Sequence, residues 1–482
     1  MARLLPRPLF VCLVACVALA CVPAFSTTTK RPALSSDQSV GAGYRFERGG
    51  WIYVHLQGTP SQIGFQHGKL LAPEIASMIQ TLQIEALHST HRDWKFYRDE
   101  SRTMMWPHIP AEYQQELQGI AKGVQAAGEK LDLWDIVALN SDIELTQYYV
   151  PWLDQRQHAE LVPPVRPEGR CSAFIATGSF TKGGKIVIAH NNWSSYADGE
   201  RWTIIFDIQP EHGHRILMDG APGIITSQDD FGENDAGLMI TETTITDFLG
   251  WNSSGIPEFV RSRQAMQYAG TIDQYVAIMK KGNNGGYAND WLIGDRKTGE
   301  IAYLELGLKH HPIWRTHDGY FVSSNFARDP AVIRDETPGF NPKDLSTSPN
   351  ARHATWDREM ARYKGRIDLQ LAEQFLGDHY DSYLHAVRAD QRSLCGHVDT
   401  VKEGIPEWGW APYYPGGAVT GKATDSTLAA HMSLAARAGH PCGEDFHAAP
   451  FLAAHPEYSY FKPVLKDMKA GPWTTFTAGE RH

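Results

Sequence analysis

Apolar and polar positions alternate along this chain in two rhythms, and the rhythm changes at one point. Residues 51–56 alternate with period two and predict a strand. Residues 58–68, Gly-Thr-Pro-Ser-Gln-Ile-Gly-Phe-Gln-His-Gly, read as a turn that opens a helix, with Ser61 as its cap. Apolar positions then recur at helical spacing through 75–87 and 112–127, so the first third reads as mostly helical. Residues 162–170, Val-Pro-Pro-Val-Arg-Pro-Glu-Gly-Arg, are a breaker-rich linker. At Cys171 the texture changes. Strand patterns follow at 172–177, 185–189, 203–208, 215–219, 223–227 and 238–244, and Gly-rich turns between them fit hairpins. A helix is predicted over 257–274, strands over 291–295, 301–306 and 319–324, and a helix over 368–381. The last hundred residues are mixed and rich in Pro, Gly and His. Runs of strands beside runs of helices predict an α+β fold rather than alternating βαβ units.

The N-terminus modifies this picture. Arg3 and Arg7 precede an apolar stretch from residue 9 to residue 20, followed by small residues and Pro23. That is the layout of a secretory signal, assigned to residues 1–25. An uncleaved anchor and a lipoprotein signal, the latter from Ala18-Leu19-Ala20-Cys21, are the competing readings. The expected organisation is a signal (1–25), a mostly helical pro-segment or small chain (26–170) and a catalytic chain (171–482). A signal places the protein outside the cell or in a lysosomal or vesicular lumen. The 482 residues are 42% hydrophobic and 21% charged, enough apolar material for a large core. A net charge of −10 gives no electrostatic reason to expect nucleic acid as a partner.

Beyond the signal three cysteines remain: Cys171, Cys395 and Cys442. In an oxidising compartment two should pair. Cys395 and Cys442 sit in similar turn-like settings, so a Cys395–Cys442 disulfide is expected, with Cys171 left as a free thiol. Two N-glycosylation sequons begin at Asn192 and Asn252. Asn252 is the expected glycan site, because a glycan on Asn192 would obstruct the candidate site described next. The His residues show no metal-type spacing, so neither a metal nor another cofactor is expected.

Cys171 is the centre of the candidate chemistry. A thiolate attacks carbonyl carbon readily. If the chain breaks between Arg170 and Cys171, the new α-amine, with a pKa near 8, lies on the same residue as the thiol and can act as its base. The competing reading is a buried structural cysteine. A Gly-Gly hairpin leads from Cys171 to Ala189-His190-Asn191-Asn192-Trp193, a separation that brings His190 back beside the thiol. His190 would orient the amine or thiol, and Asn191 or Asn192 would donate to an oxyanion. In Asn283-Asn284-Gly-Gly-Tyr-Ala-Asn289-Asp290-Trp291, a Gly-rich loop delivers an amide and a carboxylate to a strand start; the alternative is an ordinary Asx-rich turn. Asp229, in Ser227-Gln-Asp-Asp-Phe, and Glu242 with Thr243, in Thr241-Glu-Thr-Thr, are strand-end groups that either line a polar pocket or close hairpins.

Taken in order, Cys171-Ser-Ala-Phe-Ile, Ala189-His-Asn-Asn-Trp-Ser-Ser-Tyr, Ser227-Gln-Asp-Asp-Phe, Thr241-Glu-Thr-Thr-Ile, Tyr287-Ala-Asn-Asp-Trp and Lys422-Ala-Thr-Asp-Ser resemble the phospholipase B-like (lamina-ancestor) family of N-terminal-nucleophile hydrolases. The likeness runs over about residues 50 to 475. The element at 58–68 also resembles the acyl-coenzyme A:6-aminopenicillanic acid acyltransferase group. The resemblance implies a four-layered αββα sandwich and a precursor that cuts itself before Cys171, its two pieces staying associated. It implies Cys171 as nucleophile, His190 as a site residue and Asn289 as oxyanion donor. Asn191, Asn192, Trp193, Asp229, Glu242, Thr243, Asp290 and Trp291 are then the expected substrate-binding residues. The implied reaction removes fatty acyl groups from phospholipid, with membrane contact only through the substrate. An N-acyl amide hydrolase or acyltransferase using the same Cys171 is one alternative. A secreted glycan- or lipid-binding protein without catalysis is another.

Overall fold

The structure is a computed structural model that describes residues 38–157, 171–228 and 231–481. The expected signal, the linker with Arg170, and Asp229 lie outside the described residues.

Among the described residues eighteen strands occur in chain order: β1 (Gln38–Val40), β2 (Gly43–Arg48), β3 (Trp51–Gly58), β4 (Cys171–Gly178), β5 (Gly184–Ser195), β6 (Ile204–Pro210), β7 (Ile216–Gly220), β8 (Gly232–Asn234), β9 (Leu238–Thr244), β10 (Asn289–Asp295), β11 (Glu300–Leu306), β12 (Ile313–Thr316), β13 (Gly319–Ser323), β14 (Tyr380–Asp381), β15 (Ala386–Val387), β16 (Gly416–Asp425), β17 (Ser433–Ala438) and β18 (Thr474–Thr477). They form a ten-stranded sheet ordered β1-β2-β3-β6-β7-β8-β9-β10-β11-β12, a six-stranded sheet ordered β13-β4-β5-β16-β17-β18, and the small β14-β15 pair. Pairing is antiparallel except between β3 and β6, where Ile52–Gly58 run parallel to Ile204–Pro210. This is the expected mixed α+β architecture.

Side-chain alternation assigns each strand two faces. Ala173, Ile175, Ile186 and Ile188 of the six-stranded sheet share one core with Ile205, Leu217, Met239 and Leu292 of the ten-stranded sheet. Their neighbours point the other way. Phe174, Ala176, Val187 and Ala189 pack on Trp356, Met360, Phe375 and Leu376 of helices Ser348–Arg362 and Leu369–Leu376. Ile204, Phe206, Ile240 and Ile293 pack on helices from the first third and on Glu258–Tyr268 and Ile272–Lys280. Each large apolar side chain so buried contributes on the order of 1.5–3 kcal/mol.

The first third supplies more than helices, since its three strands extend the larger sheet. Helix Pro60–Leu70 is capped by Thr59 rather than Ser61: Thr59 accepts from the Gln62 N–H, and the Gln62 side chain returns to the Thr59 N–H. Gly64 lets this helix press on helix Ala111–Ala126, because a Cβ there would meet Glu116 O at 1.9 Å. The expected strand at 223–227 is a loop. Its N–H groups are taken by side chains instead of a ladder: Gly223 donates to His67 Nε2 (2.9 Å) and Ile225 to Asn140 Oδ1 (2.9 Å). The expected helix over 257–274 is two helices, broken near Gly270, with Thr271 capping the second. Among the described residues no helix is long and apolar enough to cross a membrane.

Candidate active site around Cys171

Cys171 opens β4, an interior strand of the six-stranded sheet, and is fully buried. Its N–H donates to Asn325 Oδ1 (3.1 Å) and its carbonyl accepts from Arg352 Nη1 (2.6 Å). Its thiol lies 4.0 Å from Glu242 Oε1, which also accepts from the Tyr287 hydroxyl (3.0 Å). A ring nitrogen of His190, the Cys171 sulfur and a Glu242 carboxylate oxygen all lie within 4.8 Å of one another. The hairpin therefore brings His190 to the thiol.

Register explains which neighbours share the face of the thiol. Cys171 stands opposite Asn192, and Asn192 opposite Thr420; Ala173 stands opposite His190, and His190 opposite Lys422. The Lys422 ammonium, also buried, pairs with Asp219 Oδ2 (2.9 Å) and donates to Thr420 Oγ1 (3.1 Å). Burying a charge on this scale is tolerable only with a partner so placed. The side-chain amide of Asn192 is fully buried and has no hydrogen-bond partner among the described residues.

Asn191 and Trp193 project from the opposite face of β5. Asn191 Nδ2 donates to the carbonyls of Leu376 (2.7 Å) and Leu394 (3.0 Å), and Trp193 Nε1 donates to Leu394 (3.2 Å). These bonds tie the strand to the loop behind it, away from the thiol. Thr243 and Ser323 share a hydrogen bond of 2.5 Å, and Ser323 donates to Asp290 Oδ2 (2.9 Å). Burial, and then the charge of Glu305, push the Asp290 carboxyl well above the usual range. Trp291 packs into the helix-side core against Tyr275. Asn289, at the start of β10, is fully buried, and its amide, like that of Asn192, has no hydrogen-bond partner among the described residues. Buried side-chain amides without a partner are uncommon in folded proteins.

Two contributors were not foreseen. Asn325 follows β13 with φ +70°, a left-handed conformation that Asn tolerates. It donates to Thr244 O (3.0 Å) while its Oδ1 accepts from Cys171 and from Arg352 Nη2 (2.9 Å). Arg352 is fully buried in helix Ser348–Arg362, and also donates to the Ser172 hydroxyl (2.7 Å). Burial lowers its pKa to about 9, with Cys171 and Glu407 opposing the fall. Its guanidinium carbon sits 4.7 Å from the Trp193 ring centre and 5.3 Å from that of Trp408. Trp408 in turn lines a cavity of about 520 Å³, together with Leu82, Ala86, Val150, Trp410 and Tyr414 among others.

Asn252 is exposed in a turn, whereas the Asn192 sequon is buried. The expected Cys395–Cys442 disulfide is corrected: both are free thiols, as is Cys171. The His397 ring stands beside both sulfurs, 3.8 Å from Cys395 and 3.4 Å from Cys442.

A family model described as phospholipase B matches residues 71–314, just over half of the chain. An uncharacterized protein of Archaeoglobus fulgidus is 26% identical over 290 residues, covering 55% of this chain and 45% of that protein. Human phospholipase B-like 1 is 26% identical over 236 residues (47% and 42%). Putative phospholipase B-like 3 of Caenorhabditis elegans is 32% identical over 148 residues (28% and 25%). The chain thus spans less than half the length of these relatives.

Proposed function

The chain belongs to the phospholipase B family, and from that premise we propose that it is an acyl hydrolase that removes fatty acyl groups from phospholipid through Cys171, freed as an N-terminal residue by self-cleavage. The observation that carries this reading is the convergence on one buried thiol of a carboxylate, an imidazole and a held backbone nitrogen. A structural cysteine needs none of them.

In the uncut chain the Cys171 thiol attacks the carbonyl of Arg170, and Glu242, 4.0 Å away, is the acceptor on hand for its proton. The peptide becomes a thioester, its nitrogen takes a proton, and water completes the cut. The freed α-amine stays where Asn325 Oδ1 already holds the nitrogen. In turnover this amine accepts the thiol proton as sulfur attacks the acyl carbonyl. The buried Arg352 cation, bonded to the carbonyl of the same residue, favours the thiolate. Asn289 and Asn192 offer N–H donors to the oxyanion. The intermediate expels the alcohol, which takes a proton from the ammonium, and water then hydrolyses the thioester. The cavity beside Trp408 has an aromatic side (Trp408, Trp410, Tyr414) that suits apolar substrate and a polar side (Glu85, His88, Asp142, Asp154) that suits a polar portion of one.

The β3–β6 pairing supports an association of the two pieces after the cut, since it carries seven register pairs across the junction. The helix, sheet, sheet and helix cores support the sandwich that the resemblance implies. The test is mass spectrometry of the purified protein together with release of fatty acid from phospholipid vesicles. A new N-terminus at Cys171 and fatty acid release are expected, both absent from Cys171→Ala. Cleaved protein that hydrolyses only an N-acyl amide would overturn the substrate. An uncut, inactive wild-type chain would overturn the mechanism.

A further inference from the structure

A second cluster of reactive side chains lies apart from Cys171. His379, Cys395, His397 and Cys442 come from three loops, one before β14, one after it and one after β17. Each offers a ligand atom, and these four atoms lie within 4.8 Å of one another. We propose that these four residues form a structural zinc site.

The donor set comes first. Two thiols and two imidazoles are the Cys₂His₂ set of closed, four-coordinate zinc sites. The spacing also fits. Zinc–sulfur bonds of about 2.3 Å and zinc–nitrogen bonds of about 2.0–2.1 Å, at tetrahedral angles, place sulfur and nitrogen about 3.6 Å apart. His397 Nε2 stands 3.8 Å from the Cys395 sulfur and 3.4 Å from the Cys442 sulfur. Both contacts are hydrogen bonds to sulfur in the metal-free protein, and both match the edges of a metal tetrahedron.

Orientation of the imidazoles is the second argument. His397 turns Nε2 to the sulfurs and Nδ1 toward the Glu444 carboxylate at 3.8 Å. A carboxylate facing the second ring nitrogen is the usual support for a metal-bound histidine. His379 stands nearly perpendicular to His397, at an interplanar angle of 88°. Its Nε2 is buried beside Cys442 and makes no hydrogen bond of good geometry with any described group. A buried ring nitrogen this close to two thiols and a second imidazole is a position that an ion completes.

The surroundings argue for structure rather than catalysis. Cys395 is fully buried and His397 nearly so, and the four side chains leave no open coordination position of a tetrahedral ion. Binding would convert two thiols to thiolates with release of two protons, and would pin three loops that otherwise have little regular structure. One of these loops is the support of the catalytic sheet, since Leu394, next to Cys395, accepts from both Asn191 and Trp193.

The full chain, purified without chelator and then dialysed against a strong one, should first carry and then lose one zinc by elemental analysis. Its melting temperature should fall on chelation and recover with added Zn²⁺. Cobalt added in place of zinc should give a thiolate-to-metal absorption band. Cys442→Ser and His379→Ala should each lose the metal, while Cys171→Ala keeps it. The wild-type titration decides the matter if the variants fold poorly. A Cys395–Cys442 disulfide in the unreduced protein, or reduced wild-type protein that takes up no Zn²⁺, overturns the proposal.

Discussion

Cys171 and the Cys395–Cys442 pair are the same chemical group in the same free state, placed in two very different settings. Around Cys171 the neighbours are singular: one carboxylate, one imidazole, one held nitrogen and one buried guanidinium. Around the other two sulfurs the neighbours are like-minded: two imidazoles whose nitrogens point to the same centre. The comparison teaches that burial and freedom from a disulfide do not distinguish a nucleophile from a ligand. The directions of the neighbouring donors and acceptors do.

The largest effect that would break the comparison is an exchange of roles. Cys171→Ala should lower fatty acid release by about 10⁴-fold or more and leave the chain uncut at residue 170. Cys442→Ser should leave the cut in place. Turnover and intact mass of the two variants, measured side by side, check this; loss of the cut in Cys442→Ser with a folded chain would merge the two regions into one. A smaller effect tests the oxyanion donors. Asn289→Ala and Asn192→Ala should each reduce kcat by about 10²–10³ in protein already cut, assembled by co-expressing the two pieces. Full activity in both would remove the buried amides from the mechanism.

Arg352→Lys sharpens the same contrast at about 1–3 kcal/mol. A lysine cannot reach Cys171 O, Ser172 Oγ, Asn325 Oδ1 and Ser348 Oγ at once, so buried acceptors are left without donors. Urea denaturation should register the loss. Unchanged stability together with unchanged turnover would show the guanidinium to be a bystander.

Local signals made much of the larger frame legible and little of the support around it. The strands at 172–177, 185–189, 203–208 and 238–244 stood out as short runs rich in apolar and β-branched residues, set off by turns and buried on both faces, and the hairpin that returns His190 to Cys171 followed from them. The Gly416–Asp425 strand did not stand out. Its Gly, Ala and Thr residues carry no strong strand pattern, and Lys422 stays inside only because Asp219, far earlier in the chain, supplies the opposite charge. Arg352 is 181 residues from Cys171, on a helix with no pattern to mark it. Asn325 reads as one more polar residue after a strand. The expectation of a disulfide rested on parity and setting, which register neither the two histidines nor their direction. Partners brought in from other elements decided the cases of Lys422, Arg352 and Asn325.

The smallest effect concerns a third region, which holds the two expected pieces together and so separates a local loss from a global one. Asp207 on β6 accepts from Tyr53 (2.8 Å) and meets His55 Nδ1 (2.6 Å), both on β3, and it is bonded twice by Arg215 (2.7 and 2.6 Å). Burial alone would push its carboxyl up, but the bonds from His55 and Arg215 outweigh burial and hold it at about 2. A carboxyl held below its unfolded value binds fewer protons in the folded chain. Its contribution is therefore complete above pH 4 and is lost as pH falls from about 4 toward 2. A shift of nearly two pH units corresponds to about 2 kcal/mol. Denaturation curves across that window should show the loss in wild type, and Asp207→Asn should be weaker at pH 7 with the difference closing in acid. Because the bonds to His55 and Tyr53 cross from the segment before Cys171 to the segment after it, the cut protein should shed its smaller piece more readily in the same window. An Asp207→Asn variant equal to wild type at pH 7, with the pieces held as firmly, would move the joint from this carboxylate to the β3–β6 ladder alone.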